Sequence, residues 1–236
     1  MKPVSGVLAA TVAIAVTAGL APAAHARPAV PRTQAIALLL KTQSVFRTPD
    51  AGRPRVGSVP ATRPITSGRT ALPITGSTTS KDGRRWLKVM LPGRPNGSQG
   101  WISQAGTALT STRWHIVVRT AVRRALVYLD GRLVRSFAAI VGKPSTPTPR
   151  GDFFVEENVI MPRRAPGAPY ALALSARSNV YQEFEGGPGQ IAIHGLANIG
   201  GTLGTAVSHG CVRLSNRNVS WLAARLEPGV PVSITS

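Results

Sequence analysis

Ile191-Ala192-Ile193-His194-Gly195 and, with Cys211 placed 17 positions after His194, Ser208-His209-Gly210-Cys211-Val212-Arg213-Leu214 are the stretches on which the reading of this chain turns. Alternating Ile191 and Ile193 mark the end of a buried strand that delivers His194 at its mouth. Gly200, Gly201 and Gly204 make the connection a loop able to return Cys211 to it. The sequence holds four histidines and one cysteine, and two of those histidines share this window with the only thiol. A thiol is a poor nucleophile until ionised, and a neighbouring imidazole lowers its pKa and takes its proton. Gly210 has no Cβ, so the backbone can turn sharply there and present amide N–H groups to a developing oxyanion. Cys211 is therefore read as nucleophile and His194 as base.

Taken singly, either residue reads more simply as packing, since cysteine is often buried and histidine more often hydrogen-bonds than catalyses. The combined pattern points to chemistry instead. Zinc would also use His194, His209 and Cys211, but a closed site needs a fourth ligand and the usual paired Cys or His spacings are absent. No metal and no cofactor is expected.

His194-Gly195 followed by Ser208-His209-Gly210-Cys211-Val212-Arg213-Leu214 resembles the signature of the L,D-transpeptidase (YkuD-type) catalytic domain of bacterial cell-wall enzymes. Upstream, Gly142-Lys143-Pro144-Ser145-Thr146-Pro147-Thr148-Pro149-Arg150-Gly151-Asp152-Phe153 resembles the threonine-proline-glycine segment of that family. Together the motifs cover roughly Trp114 to the C-terminus. The resemblance implies a YkuD-type β-sandwich with one short C-terminal helix, and peptidoglycan stem peptides as partner. Cys211 would attack the carbonyl of the third residue of a stem tetrapeptide, expel the terminal D-Ala and hold the stem as a thioester. An amine of a neighbouring stem would resolve it into a 3→3 cross-link. His194 would carry the protons, His209 and Ser208 would shape the cleft and orient the pair, and the N–H groups of Gly210 and Cys211 would meet the oxyanion. Arg213, on the opposite strand face from Val212 and Leu214, would hold a substrate carboxylate or brace the loop. Gly195 falls where relatives carry a hydroxyl residue, so no side-chain third partner for His194 is named. Two other readings remain: an L,D-carboxypeptidase, in which water resolves the same acyl-enzyme, and a non-catalytic wall-binding protein, which would need neither His194 nor Cys211.

Residues 1–26 read as a secretory leader. Lys2 gives the positive start, Val4 to Leu20 the apolar run and Ala24-His25-Ala26 the small-x-small cleavage site, with cleavage expected before Arg27. Ser5, Gly6, Thr11, Thr17 and Gly19 interrupt the apolar run, so a stable membrane span is the weaker reading and none is expected after cleavage. The formal net charge is +19, and losing Lys2 with the leader lowers it by only one. In an exported protein such charge favours anionic wall polymers and lipid headgroups. Nucleic acid would sit in the wrong compartment, and no zinc-finger, RNA-recognition or basic-zipper motif is present. With one cysteine there can be no internal disulfide, so apolar cores and hydrogen bonds must hold the fold.

Residues 27–112 read as a small β-barrel-like, wall-associated domain and linker, ahead of a catalytic domain at 113–236. Turn signals at Pro49-Asp50-Ala51-Gly52, Lys81-Asp82-Gly83 and Asn96-Gly97 separate short apolar runs such as Trp86 to Val89 and Trp101-Ile102. Only Thr33 to Leu40 carries helical spacing. Asp82 to Val89, followed by Asn96 to Ile102, resembles the last strands of a bacterial Src-homology-type β-barrel. This implies either wall binding or a spacer with Trp86 and Trp101 in its core. The linker is placed at Ala108 to Arg113.

After it, Trp114 to Val118 and Leu126 to Leu129 read as strands, and Asp130-Gly131 signals a two-residue hairpin into Arg132 to Phe137. His115 is expected to be structural. The Pro-rich segment Lys143 to Arg150 leads into a strand carrying Phe153 and Val155. Asn158 to Ser178 reads as a flap over the cleft, with Tyr170 or Tyr181 to line it, or as a surface excursion. Val219, Leu222, Ala223 and Leu226 have helical spacing, with Asn216 or Asn218 as cap and Pro228-Gly229 as the end. Val230 to Ile234 reads as a final strand.

Overall fold

The computed structural model describes Met1, residues 30–184 and residues 186–236; the expected leader and its cleavage point lie outside the described residues. The first part of the chain forms β1 (Gln34–Leu39), β2 (Gln43–Val45), β3 (Gly57–Val59), β4 (Ala71–Thr79), β5 (Arg85–Met90), β6 (Gln99–Ser103) and β7 (Thr107–Thr112). Five of these make an antiparallel sheet in the order β6-β5-β4-β1-β7, while β2 pairs with β3. Gly83, in the Lys81-Asp82-Gly83 turn between β4 and β5, adopts φ 77°, a conformation glycine takes without steric cost. Leu72, Leu87, Val89 and Ile102 turn inward to one core. Trp86 is only 1% exposed, edge-on to Phe46, with its Nε1–H donating to Ser80 Oγ at 3.0 Å.

Two expectations are corrected here. The stretch with helical spacing, Thr33 to Leu40, is strand β1, because β4 and β7 both hydrogen-bond to it and the pairing buries Ile36, Ala37 and Leu39. Ala108 to Arg113 is not a linker: β7 pairs with β1 from Leu39↔Thr107 to Gln34↔Thr112. The β-branched threonines that look like a loop by polarity suit a strand with one solvated face. Arg113 is all that separates β7 from the next strand.

The second part contains β8 (Trp114–Arg119), β9 (Arg124–Leu129), β10 (Arg132–Ala138), β11 (Val141–Gly142), β12 (Gly151–Ile160), β13 (Tyr170–Arg177), β14 (Gln190–His194), β15 (Ala206–Ser208), β16 (Val212–Arg213), α1 (Asn216–Ala223) and β17 (Pro231–Thr235). Eight strands form one mixed sheet in the order β10-β9-β8-β17-β12-β13-β14-β16. The expected hairpin is present: Asp130 and Gly131 both have positive φ, at 55° and 72°, which matches the right-handed twist of β9 and β10. The chain is mainly β with one short helix among the described residues, in line with the mainly β class read from sequence.

Asn158 to Ser178 is neither a flap nor a surface excursion over most of its length. Its ends belong to β12 and β13, which pair from Val155↔Leu174 to Ile160↔Tyr170. Residues 172–177 are all buried, so the strand lacks the alternation that would reveal it. The helix is capped by Ser215, whose Oγ accepts from Asn218 N–H at 3.2 Å, rather than by Asn216 or Asn218. Asn216 Oδ1 instead accepts from Leu196 N–H at 2.8 Å and Ala197 N–H at 3.1 Å. His115 is structural as expected, its Nε2 lying 3.0 Å from Ser233 Oγ.

Strand β12 serves both cores. Phe153 and Val155 face the core of the eight-stranded sheet, whereas Phe154, between them, enters the core of the first sheet. A bulge between Val155 and Glu157 breaks the alternation, and both Glu156 and Glu157 are buried. Glu156 pairs with Arg63 and, at 3.0 Å, with Arg177; Glu157 Oε2 accepts from the N–H groups of Ile65 and Thr66 and from Thr66 Oγ1. Burial pushes the Arg177 guanidinium down to about 10, which leaves it charged at neutral pH. The first sheet is thus fixed to the second by a shared aromatic and a buried ion cluster.

Candidate active site

Strands β14 and β16 run parallel, with Ile193 opposite Val212 and His194 opposite Arg213. Ile193, Val212 and Leu214 are buried in the core. Period-two alternation therefore sends Ala192 and His194, with Cys211 and Arg213, to the other face. The pairing is confirmed at the sulfur, since Ala192 N–H donates to Cys211 Sγ at 3.4 Å. His194 lies two residues further along the same strand. The sequence-predicted base and nucleophile thus lie diagonally across one parallel pair, held also by Leu214 N–H donating to His194 O at 2.9 Å.

The imidazole has a defined tautomer. His194 Nδ1 is 2.8 Å from Gly195 O, and a carbonyl can only accept, so Nδ1 carries the hydrogen and Nε2 presents its lone pair. The third partner of His194 is therefore a backbone carbonyl, which explains how a glycine can stand at 195. A Cβ at Gly195 would lie 2.1 Å from Ala168 O. Burial pushes the His194 pKa below its ordinary value, opposed by the bond to Gly195 and reinforced by the nearby Arg213 charge. His194 is 9% exposed and is neutral at pH 7.

Gly167, in the connection between β12 and β13, backs the ring. A Cβ there would stand 2.4 Å from His194 Nδ1, and the residue adopts φ 86°. Gly195 N–H donates to Gly167 O at 2.8 Å, and Gly167 N–H to Ala197 O at 2.7 Å. This support was not read from the sequence. The Pro166-Gly167 pair, a turn signal, was the available sign.

The turn before Cys211 is stapled by Ser208, which is 0% exposed. Its Oγ donates to Cys211 O at 2.6 Å and accepts from Gly210 N–H at 3.1 Å. Its carbonyl accepts from Lys143 N–H at 3.0 Å and Thr146 Oγ1 at 3.1 Å. The upstream motif, closed by Gly142 N–H donating to Thr148 Oγ1 at 2.9 Å, is thus the other half of the turn. Two expectations change. Ser208 is buried and holds the backbone rather than lining the cleft, and the Gly210 N–H is turned onto Ser208 instead of toward an oxyanion. The sharp turn itself is as expected, with Gly210 at φ 121°.

His209 is exposed and packs with Tyr181 and Phe184, at ring-centroid separations of 6.0 and 5.7 Å. Of the two tyrosines considered for the cleft, Tyr181 is beside the site and Tyr170 packs on the core. Arg213 is 9% exposed; its backbone is bonded to Ile140 in both directions at 2.9 Å, and its Nε has no hydrogen-bond partner among the described residues. Among those residues no group of three or more His, Cys, Asp or Glu is placed to hold a metal ion.

A buried imidazole of fixed tautomer beside a thiol on a strand end defines a site suited to acyl transfer. The chain belongs to the L,D-transpeptidase (YkuD) catalytic-domain family, whose model matches residues 113–234. The chain is 33% identical over 122 residues to the YkuD protein of Bacillus subtilis and 38% identical over 124 residues to that of Bacillus licheniformis. These matches cover 51% and 52% of this chain, and 65% and 66% of those two proteins. A solved L,D-transpeptidase from Mycobacterium smegmatis aligns at 20% identity and a TM-score of 0.43, over 82% of this chain and 99% of that one. The family assignment rests on the sequence match.

Proposed function

We propose that the chain is an exported L,D-transpeptidase that forms 3→3 cross-links between peptidoglycan stem peptides through a thioester on Cys211. The observation that carries this is the pairing of β14 with β16, which sets the Cys211 sulfur at Ala192 N–H and His194 two residues along. Cys211 gives its proton to His194 Nε2 as the sulfur bonds to the carbonyl carbon of the third stem residue. The tetrahedral centre then collapses, and the C–N bond to D-Ala breaks as His194 returns the proton to the leaving amine. The acceptor amine loses a proton to the same nitrogen as it attacks the thioester, and the thiol is regenerated. The Cys211 N–H remains the proposed oxyanion donor. Arg213, held at the site and lacking an ion-pair partner among the described residues, is suited to a substrate carboxylate.

The proposed leader would export the protein, and its basic surface would favour anionic wall polymers. No helix among the described residues is long and apolar enough to cross a membrane. The division at 112/113 and a wall-associated role for the first sheet belong to the same proposal. Incubation with a disaccharide-tetrapeptide, beside a Cys211→Ala variant, tests it. D-Ala release with a cross-linked dimer that requires Cys211 supports the transpeptidase; release without a dimer shows an L,D-carboxypeptidase; neither product leaves a wall-binding protein.

A further inference from the structure

The connection between β5 and β6 of the first sheet reaches the segment that packs on His209 beside the site. Arg94 Nη1 donates to Pro188 O at 2.9 Å, and Nη2 donates to Ser178 O and Tyr181 O, each at 2.8 Å. Beside it Asn96 makes a two-way clamp: Nδ2 donates to Arg177 O at 2.7 Å, and Oδ1 accepts from Arg177 N–H at 2.8 Å. A guanidinium is a planar fork of donors, and here three carbonyls separated along the chain converge on it. Gly189 closes the same base. A Cβ there would stand 2.2 Å from Tyr181 O and 3.2 Å from Arg94 Nη2. From this base Tyr181 and Phe184, 5.4 Å apart, pack on the ring of His209, two residues before Cys211.

We propose that Arg94, outside the residues matched by the family model, is a positioning residue that sets the Tyr181–Phe184–His209 wall of the cleft. The first sheet then acts on how the site receives its substrate as well as being joined to it. This rests on Cys211 being the reacting group. The Lys variant can satisfy only part of the role, because an ammonium is a compact charge rather than a fork.

The test compares full-length wild type with Arg94→Ala, Arg94→Lys and, as a charge-matched control in the β4–β5 turn, Arg84→Ala. Two readouts need no substrate turnover: amide exchange of residues 178–184, and the ratio of Cys211 modification rates by a bulky maleimide and by iodoacetamide. In Arg94→Ala, exchange there is expected to quicken on the order of tenfold with β14 and β16 unchanged. The reagent ratio should rise several-fold with the iodoacetamide rate unaltered, Arg94→Lys should fall between, and Arg84→Ala should match wild type. With stem tetrapeptide, KM rises more than kcat falls. Unchanged exchange overturns the proposal, and so does faster exchange with an unchanged reagent ratio. Should wild type leave the stem peptide untouched while both readouts shift, the transpeptidase reading fails and the positioning role stands.

Discussion

Replacing Ser208 with alanine separates a buried staple from a substrate contact. The hydroxyl is inaccessible to solvent, donates to Cys211 O at 2.6 Å and accepts from Gly210 N–H at 3.1 Å. Removing it deletes the bond to Cys211 O, with a net worth of about 1 kcal/mol, and leaves the buried Gly210 N–H unsatisfied at about 1–3 kcal/mol. The expected loss is therefore about 2–4 kcal/mol, or a fall in Tm of roughly 4–16 °C for a chain of this size. The turn that aims Cys211 also loosens, so kcat/KM should fall on the order of 10- to 100-fold. Equilibrium urea unfolding and stem-peptide kinetics measure the two effects. Stability within about 0.5 kcal/mol of wild type, together with a raised KM, would refute the reasoning and make Ser208 a substrate contact.

Gly167→Ala places a Cβ against His194 Nδ1 at a φ of 86°; left-handed strain of about 1–2 kcal/mol and a displaced imidazole should lower kcat/KM on the order of 100-fold, and an unaffected rate would show that the ring is not held there. Glu156→Ala leaves the partly buried Arg63 and the buried Arg177 without their shared carboxylate, so urea unfolding should show a loss of about 3–5 kcal/mol, and a loss under about 1 kcal/mol would mean the ion cluster does not join the sheets. Burial holds the pKa of His194, and also of His115, below its ordinary value, so the unfolded chain binds more protons as the pH falls. Their stability contribution is full above about pH 6.5 and is lost as the pH drops through the lowered folded-state values. The urea midpoint should fall between pH 7.5 and 5, less steeply in His194→Gln; a midpoint independent of pH, or an identical slope in the variant, contradicts this.

Local rules made part of this fold legible. The alternation at Ile191 and Ile193, the Asp130-Gly131 turn and the apolar runs at Trp86 and Trp114 each state a strand or hairpin from neighbouring residues alone. Strand β13 carried no such mark because it is buried on both faces, and β7 read as a linker because its threonines are polar before they are β-branched. Asn216 looked like a cap until the fold brought Leu196 and Ala197 to it. The site divides in the same way. Cys211 and His194 are local to one strand pair and its return loop, so spacing and motif were enough to single them out as candidates. The Gly195 carbonyl on Nδ1, the Gly167 backing and the Arg94 fork depend on which strands become neighbours, and no window of sequence contains that.

The most direct measurement is an acid-quenched reaction of the protein with disaccharide-tetrapeptide, digested and followed by mass spectrometry on the Cys211 peptide. A stem tripeptide bound to Cys211, lacking the terminal D-Ala and released by hydroxylamine, is the expected result, with no adduct in His194→Gln. D-Ala release with the Cys211 peptide unmodified at every quench time, or turnover that survives in Cys211→Ala, would contradict the thioester mechanism.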